Sequence, residues 1–211
     1  MSALTEIAGA VIGGDRARVA AATRQVIEQG IPPKTILDDG LIAGMTVVGD
    51  RFRAHEIFLP DVLLAAKAMY AGMDELRPLL VREGVPSIGK VVIGTVRGDL
   101  HDIGKNLVGI MLKGAGFDVI DLGHDVAPEK MVRAAEEQGA AVIGMSALLT
   151  TTMPVMRETV DLLRERKLGA IRTVVGGAPV TEAFAREIGA DAYGFDAANA
   201  VDVVKALVGR S

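Results

Sequence analysis

The sequence predicts an α/β protein in two parts: a bundle of four helices, then a five-stranded parallel sheet with helices on both faces. Three observations predict it. Up to about residue 83, apolar side chains recur at helical spacing; beyond residue 89, short apolar runs alternate with amphipathic stretches. Gly84, Pro86 and Gly89 crowd the segment between the two patterns, a composition that disfavours helix. With 211 residues, half of them apolar and 24% charged, the chain is long enough to bury a proper core in one large domain or two small ones. The expected division is a helical domain at 1–83, a linker at 84–89 and an α/β domain at 90–211.

The helices follow in order. One is expected at about 3–12. Asp15 can cap a second that runs to Gln29, with Val19, Ala22, Val26 and Ile27 near helical spacing and Gly30 at its end. Pro32 and Pro33 suit the start of a third, which reaches about Phe52. Pro60-Asp61 opens a fourth, with Val62, Leu63, Ala66, Met69, Tyr70 and Met73 on one wide stripe. Short connections favour antiparallel neighbours and hence a bundle. Strands are expected at 90–96, 117–122, 140–145, 173–175 and 191–195, with helices at about 104–114, 128–138, 154–167, 181–188 and 197–208. Continuous apolar strands are the mark of a parallel sheet covered on both faces. The order expected is 2-1-3-4-5, a Rossmann-like sheet of the flavodoxin type.

Composition removes several functions. No cysteine is present, which excludes disulfides, thiolate zinc sites, iron–sulfur clusters and Cys nucleophiles, and fits a reducing cytoplasm. A net charge of −4 offers no broad attraction to nucleic acid, and two Tyr, five Phe and no Trp make a poor base-stacking platform. No apolar stretch is long enough to span a membrane, and the first residues lack the basic region of a signal peptide.

In a sheet of this order, ligands bind beyond the carboxyl ends of the strands, at the switch point between strands 1 and 3. The unusual residues gather there. Strand 1 is followed by Arg97-Gly98-Asp99-Leu100-His101-Asp102-Ile103-Gly104, strand 3 by Ser146-Ala147-Leu148-Leu149-Thr150-Thr151-Thr152, strand 4 by Gly176-Gly177-Ala178-Pro179. His101, two positions after Asp99, can offer one ring nitrogen to a metal while the other donates to the carboxylate. A plainer reading has Asp99 capping the next helix and His101 merely exposed. The Gly176-Gly177 pair permits close approach of a ligand, or simply makes a tight turn. Ser146 and Thr150–Thr152 offer hydroxyls to a ligand, or cap the helix ahead of Pro154. His55 and His124 lie in other segments, so one histidine without companions points to a metal that arrives inside a cofactor. A Walker A pattern and a Gly-x-Gly-x-x-Gly after strand 1 are both missing. A phospho-accepting receiver domain would want a carboxylate where Met145-Ser146 stand.

Asp99-x-His101-x-x-Gly104, then Ser146-x-Leu148, then Gly176-Gly177 resembles the cobalamin-binding signature. The wider strings, Gly98–Asn106, Ser146–Met153 and Gly176–Thr181, resemble the small corrinoid proteins of methylamine, methanol and related methyltransferase systems. In the first half, Gly44-Met45-x-x-Val48-Gly49-x-x-Phe52 and Ile57-Phe58-Leu59-Pro60 resemble the same family's helical cap and that of cobalamin-dependent methionine synthase. The likeness runs from about residue 4 to 208.

The resemblance implies a bound cobamide, cycling between methyl-Co(III) and Co(I), with its lower base displaced and His101 as the lower axial ligand. Asp99 would hold His101, and Thr152 would complete a protonation relay at a position where the synthase has serine. Ser146 would meet the displaced base, while Gly104 and Gly177 make room for the nucleotide tail. Asp102, Ile103, Leu148, Thr150 and Gly176 would line the cofactor. Phe52 and Leu59, seven residues apart, would shield the upper face if their helix persists; otherwise they are bundle core. The implied function is a methyl carrier, not catalytic alone, shuttling a methyl group from a substrate-specific methyltransferase to a second one that acts on a coenzyme thiol or folate, with a reductive activator as a further partner. The cap would have to move for partners to reach the methyl group, with 84–89 as hinge. The alternative is a cobalamin-responsive regulatory module, which would need a DNA-binding segment or basic surface.

Overall fold

A computed structural model describes residues 2–84 and 87–209, so Val85 and Pro86 of the expected linker lie outside the described residues. Two compact units result, one built by the helices that precede the sheet and one by the sheet and its helices.

The first unit begins with α1 (Ala3–Ile12) and α2 (Arg16–Glu28), each opened by a side-chain cap: Ser2 Oγ accepts from the Thr5 N–H at 3.2 Å and Asp15 from the Arg18 N–H at 3.0 Å. The next helical stretch departs from the regular helix expected at 33–52. It consists of α3 (Pro33–Ile36), a π-helical turn (Leu37–Ile42) and α4 (Ala43–Arg53). The reason lies in the apolar spacing. Ile36 and Leu41 are both fully buried, yet five residues of α-helix separate two side chains by about 140°. The wider turn brings both onto the inner face, in line with Met45 and Val48.

Helix α4 stops at Arg53, and His55 takes a left-handed φ of 58° before α5 (Leu59–Arg82) begins. Asp61 starts α5 by accepting the Phe58 N–H at 2.9 Å, with Pro60 in the first turn. Phe52 and Leu59 therefore do not share a helix. They stand on either side of a break, so two helical turns do not set their relation. The buried face of α5 is rich in small residues, Ala65, Ala66, Ala68, Ala71 and Gly72, and allows close helix packing against α2.

In the second unit, β1 (Lys90–Thr95), β2 (Asp118–Asp121), β3 (Val142–Ser146), β4 (Arg172–Gly176) and β5 (Ala192–Gly194) form one all-parallel sheet in the order 2-1-3-4-5. Between and after them run α6 (Ile103–Gly114), α7 (Pro128–Gln138), α8 (Pro154–Glu165), α9 (Glu182–Ile188) and α10 (Ala197–Val208). Val92, Ile143 and Val175 pack with Met131, Val132, Met156 and Val160 of α7 and α8 in one buried cluster. Gly139 and Gly189, with φ of 62° and 72°, end α7 and α9 in left-handed caps. The register matters most for function. Thr95 pairs with Ser146, Ser146 with Gly176, and Gly176 with Gly194. One row across the carboxyl rim thus sets the loops after β1, β3 and β4 side by side. Among the described residues no helix is long and apolar enough to cross a membrane.

Candidate functional site

The site is built around a buried carboxylate. After β1 the chain turns at Gly98, whose φ of 82° suits glycine. Asp99 then points inward and is wholly inaccessible to solvent. One of its oxygens, Oδ1, accepts the His101 backbone N–H at 3.1 Å and faces the His101 ring Nδ1 at 2.8 Å. The other, Oδ2, accepts the N–H groups of Leu148 (2.7 Å) and Leu149 (3.2 Å) and faces the Thr152 hydroxyl at 2.9 Å. Burial alone pushes this carboxyl up, but the hydrogen bonds from Leu148, His101 and Thr152 outweigh it and hold the group well below the usual carboxylate range. Asp99 is therefore an anion, and every neighbour it has is a donor.

That fixes the tautomer of neutral His101. A carboxylate can only accept, so Nδ1 carries a proton, and in the neutral ring the lone pair lies on Nε2. The side chain is 53% exposed; the ring is held at its inner nitrogen and open at its outer one. The peptide is held as well: its carbonyl accepts the Thr95 hydroxyl at 3.0 Å. Thr152, 7% exposed, lies between two acceptors, Asp99 Oδ2 and the Leu149 carbonyl at 2.8 Å. Its single hydroxyl proton is shared between them.

The remaining expected residues fall around this pair. Ser146 is half-buried at the end of β3, and its hydroxyl has no hydrogen bond among those of the described residues. Leu148 is exposed, with Leu149, Leu100 and Ile103 exposed beside it, an apolar rim around the imidazole. Thr150 is exposed, and Asp102 is half-buried with its carbonyl accepting the Asn106 N–H at 2.7 Å. Gly176 sits in the register row; a Cβ there would come within 2.8 Å of the Gly194 carbonyl oxygen. The chain itself also demands glycine at Gly177, where φ is 124° and a Cβ would lie 1.9 Å from the Ala147 carbonyl oxygen. Gly104 is different: a Cβ there would meet nothing within 4 Å, so the polypeptide leaves open the space it faces. Phe52 and Leu59 belong to the helical unit. The described residues hold no group of three His, Cys, Asp or Glu side chains able to bind a metal ion.

Three contributors were not anticipated from the sequence. Asp125, in the loop after β2, accepts the Gly98 N–H at 2.7 Å and returns its own N–H to the Asp99 carbonyl at 3.0 Å. It adopts a left-handed φ of 54° to do so, a conformation Asp tolerates better than most residues. Lys105, nearly buried, pairs with Asp121 at the end of β2 and reaches Asn106 Oδ1 at 2.6 Å, anchoring the start of α6. The third is Thr95. Lys105 lies within the Gly98–Asn106 string quoted above; Thr95 and Asp125 would have needed knowledge of the sheet's register, which a single sequence does not carry.

The arrangement suits a cobamide in three respects: a lone imidazole nitrogen with its tautomer set, an apolar rim around it, and the open space at Gly104. Fold and site together define a B12-binding protein, and residues 89–204 and 3–77 each match a family described as a B12 binding domain. A corrinoid protein of Desulfitobacterium hafniense (strain Y51) is 41% identical over all of this chain and 99% of its own length. Dimethylamine corrinoid protein 1 of Methanosarcina acetivorans is 44% identical over 97% of each chain. This chain belongs to the corrinoid protein family. Among solved structures, the methanol:cobalamin methyltransferase complex of Methanosarcina barkeri superposes with a TM-score of 0.89 at 33% identity, over 99% of this chain and 80% of that one. A cobalamin-binding protein of Desulfitobacterium hafniense DCB-2 gives 0.79 at 33% identity, over 97% and 98%.

Proposed function

We propose that this protein is a corrinoid methyl carrier, which receives a methyl group from a substrate-specific methyltransferase and yields it to a second methyltransferase acting on a coenzyme thiol or a folate. The likeness to corrinoid proteins named for dimethylamine and to the methanol:cobalamin methyltransferase complex supports a methyltransferase partner. A reductive activator is a further expected partner, because a carrier that passes through the most reduced cobalt state loses it to stray oxidation.

The observation that carries the reading is the buried anion that aims one imidazole nitrogen out of the rim. When bound, the cobalt of the cobamide supplies the methyl-transfer chemistry. The chain supplies the rest. His101 Nε2 would be the protein's ligand to the cobalt, taking the place of the cobamide's own base. Asp99 holds the proton on Nδ1 and raises the basicity of the ring, as a carboxylate behind a ligating histidine does. The Ser146 hydroxyl is free to meet the displaced base.

Substitution of His101 by Ala tests this directly. The visible spectrum of bound methylcobalamin is expected to shift to that of a form without a protein nitrogen below, and methyl transfer to fall by about 10–100-fold, the scale set by loss of groups that orient or ligate a metal. An unchanged spectrum overturns the axial role.

Gly104 separates folding from binding. Gly104→Ala is expected to leave the melting temperature of the cofactor-free protein unchanged or slightly higher, since alanine favours helix by up to about 1 kcal/mol and meets no neighbour. Cobamide affinity is expected to drop about tenfold, as overpacking a close contact does. Titration followed by absorbance measures it; equal affinity would mean that the open space is not the cofactor's.

A further inference from the structure

We propose that Thr95 is a positioning residue for the ligand imidazole, its buried hydroxyl setting where the His101 peptide stands above the sheet. The inference rests on the axial role of His101 given above. Asp99 fixes the tautomer and rotation of the ring, but both residues lie on one loop. Thr95 does not. It is the last residue of β1, fully buried, paired with Ser146 of β3. Its own N–H donates to the Gly123 carbonyl and its carbonyl accepts the Val126 N–H, each at 3.0 Å. The hydroxyl therefore projects from a backbone fixed on both sides.

Its acceptor is well chosen. The backbone ladder of α6 begins with the Asn106 N–H bonding to the Asp102 carbonyl, which leaves the carbonyl of His101, one residue earlier, to Thr95 Oγ1 at 3.0 Å. The peptide of His101 is thus gripped at both ends, N–H by the Asp99 carboxylate and C=O by the strand. The grip matters because an axial ligand must reach its metal within a few tenths of an ångström. Removing it lets the imidazole settle away from the metal, so the equilibrium between the His-on and His-off forms shifts toward His-off.

The test uses the full chain loaded with cob(II)alamin, in natural abundance and labelled with ¹⁵N-histidine, and reads the electron paramagnetic resonance spectrum. An axial ¹⁴N splits each cobalt line into three; ¹⁵N splits it into two. In the wild-type protein the label is expected to turn triplets into doublets. Thr95→Val keeps the shape and removes the donor, and is expected to lower the His-on/His-off ratio about tenfold, the effect of one lost hydrogen bond in a sheltered place. Thr95→Ser restores the donor and is expected to return within about twofold of wild type. If labelled wild type keeps a triplet or shows no splitting, the axial reading falls and takes this one with it. If labelled wild type gives doublets and Thr95→Val keeps the same ratio, Thr95 alone loses its role. Should Thr95→Val fail to fold, the same comparison between Thr95→Ser and Thr95→Ala decides, and equal ratios overturn the proposal.

Discussion

Gly177→Ala is expected to lower the stability of the cofactor-free protein by at least about 4 kcal/mol, enough to leave a marginally stable domain largely unfolded. Two costs add. The backbone at Gly177 has φ of 124°, a conformation that side-chain-bearing residues rarely adopt and that alone costs about 1–3 kcal/mol. The new Cβ would then lie 1.9 Å from the Ala147 carbonyl oxygen and 2.9 Å from its carbon. Backbone atoms cannot rotate aside as a flexible side chain can. Ala147 is itself buried, and its N–H bonds to the Gly176 carbonyl at 3.2 Å. Pushing it back would drag the next two residues, whose N–H groups hold Asp99. The damage would reach the His101 loop without a contact to it. Urea denaturation followed by circular dichroism measures the loss, and a shift below about 1 kcal/mol would contradict the account.

On the ligating role proposed for His101, Asp99→Asn is expected to remove that ligation while costing the cofactor-free protein about 3 kcal/mol at neutral pH, as loss of hydrogen bonds to a buried charged acceptor does. An amide has one oxygen where the carboxylate has two. Leu148, Leu149 and Thr152 all donate to the Oδ2 side, so the amide oxygen turns there and the NH₂ faces His101. The His101 N–H then meets a second donor, and Nδ1 must accept. The ring proton moves to Nε2, and the outward nitrogen loses its lone pair. A wrong tautomer of this kind costs more than a weakened one, about 100-fold or more in the His-on equilibrium.

The same substitution has a signed pH dependence. Asp99 is held below its ordinary value when folded, so on acidification the unfolded chain takes up its proton first. The stability that the carboxylate contributes is fully present above about pH 4, its unfolded range, and is lost as pH falls toward the folded value. The gap in unfolding free energy between wild type and Asp99→Asn is therefore expected to narrow as pH falls below about 4. A gap that does not narrow below about pH 4 would mean that Asp99 is not held as an anion in the folded protein.

Much of the fold was legible because its signals are local. Asp15, Pro60 and Gly189 mark helix ends by their own chemistry, and the apolar runs of the five strands are short and continuous as doubly covered strands must be. The strand order placed the loops after β1, β3 and β4 together, which made Asp99, His101, Ser146, Thr152 and Gly177 candidates for one site. One departure has a cause that local signals do not carry. A regular helix through 33–52 satisfies local periodicity, but the burial of both Ile36 and Leu41 requires the π turn. The break between Phe52 and Leu59, by contrast, agrees with the helix ends expected near Phe52 and Pro60, and it falls at His55.

By itself the sequence determined the two-part α/β architecture, the strand order and the pairing of one candidate histidine with one carboxylate, because periodicity, caps and motif spacing act over a few residues. Only the tertiary structure decided how that histidine is held. The five donors converging on Asp99, the brace from Asp125, the reach of Thr95 to the His101 carbonyl and the difference between a filled space at Gly177 and an open one at Gly104 depend on hydrogen bonds and contacts between segments far apart in the chain. Those distances exist only once the sheet has fixed its register.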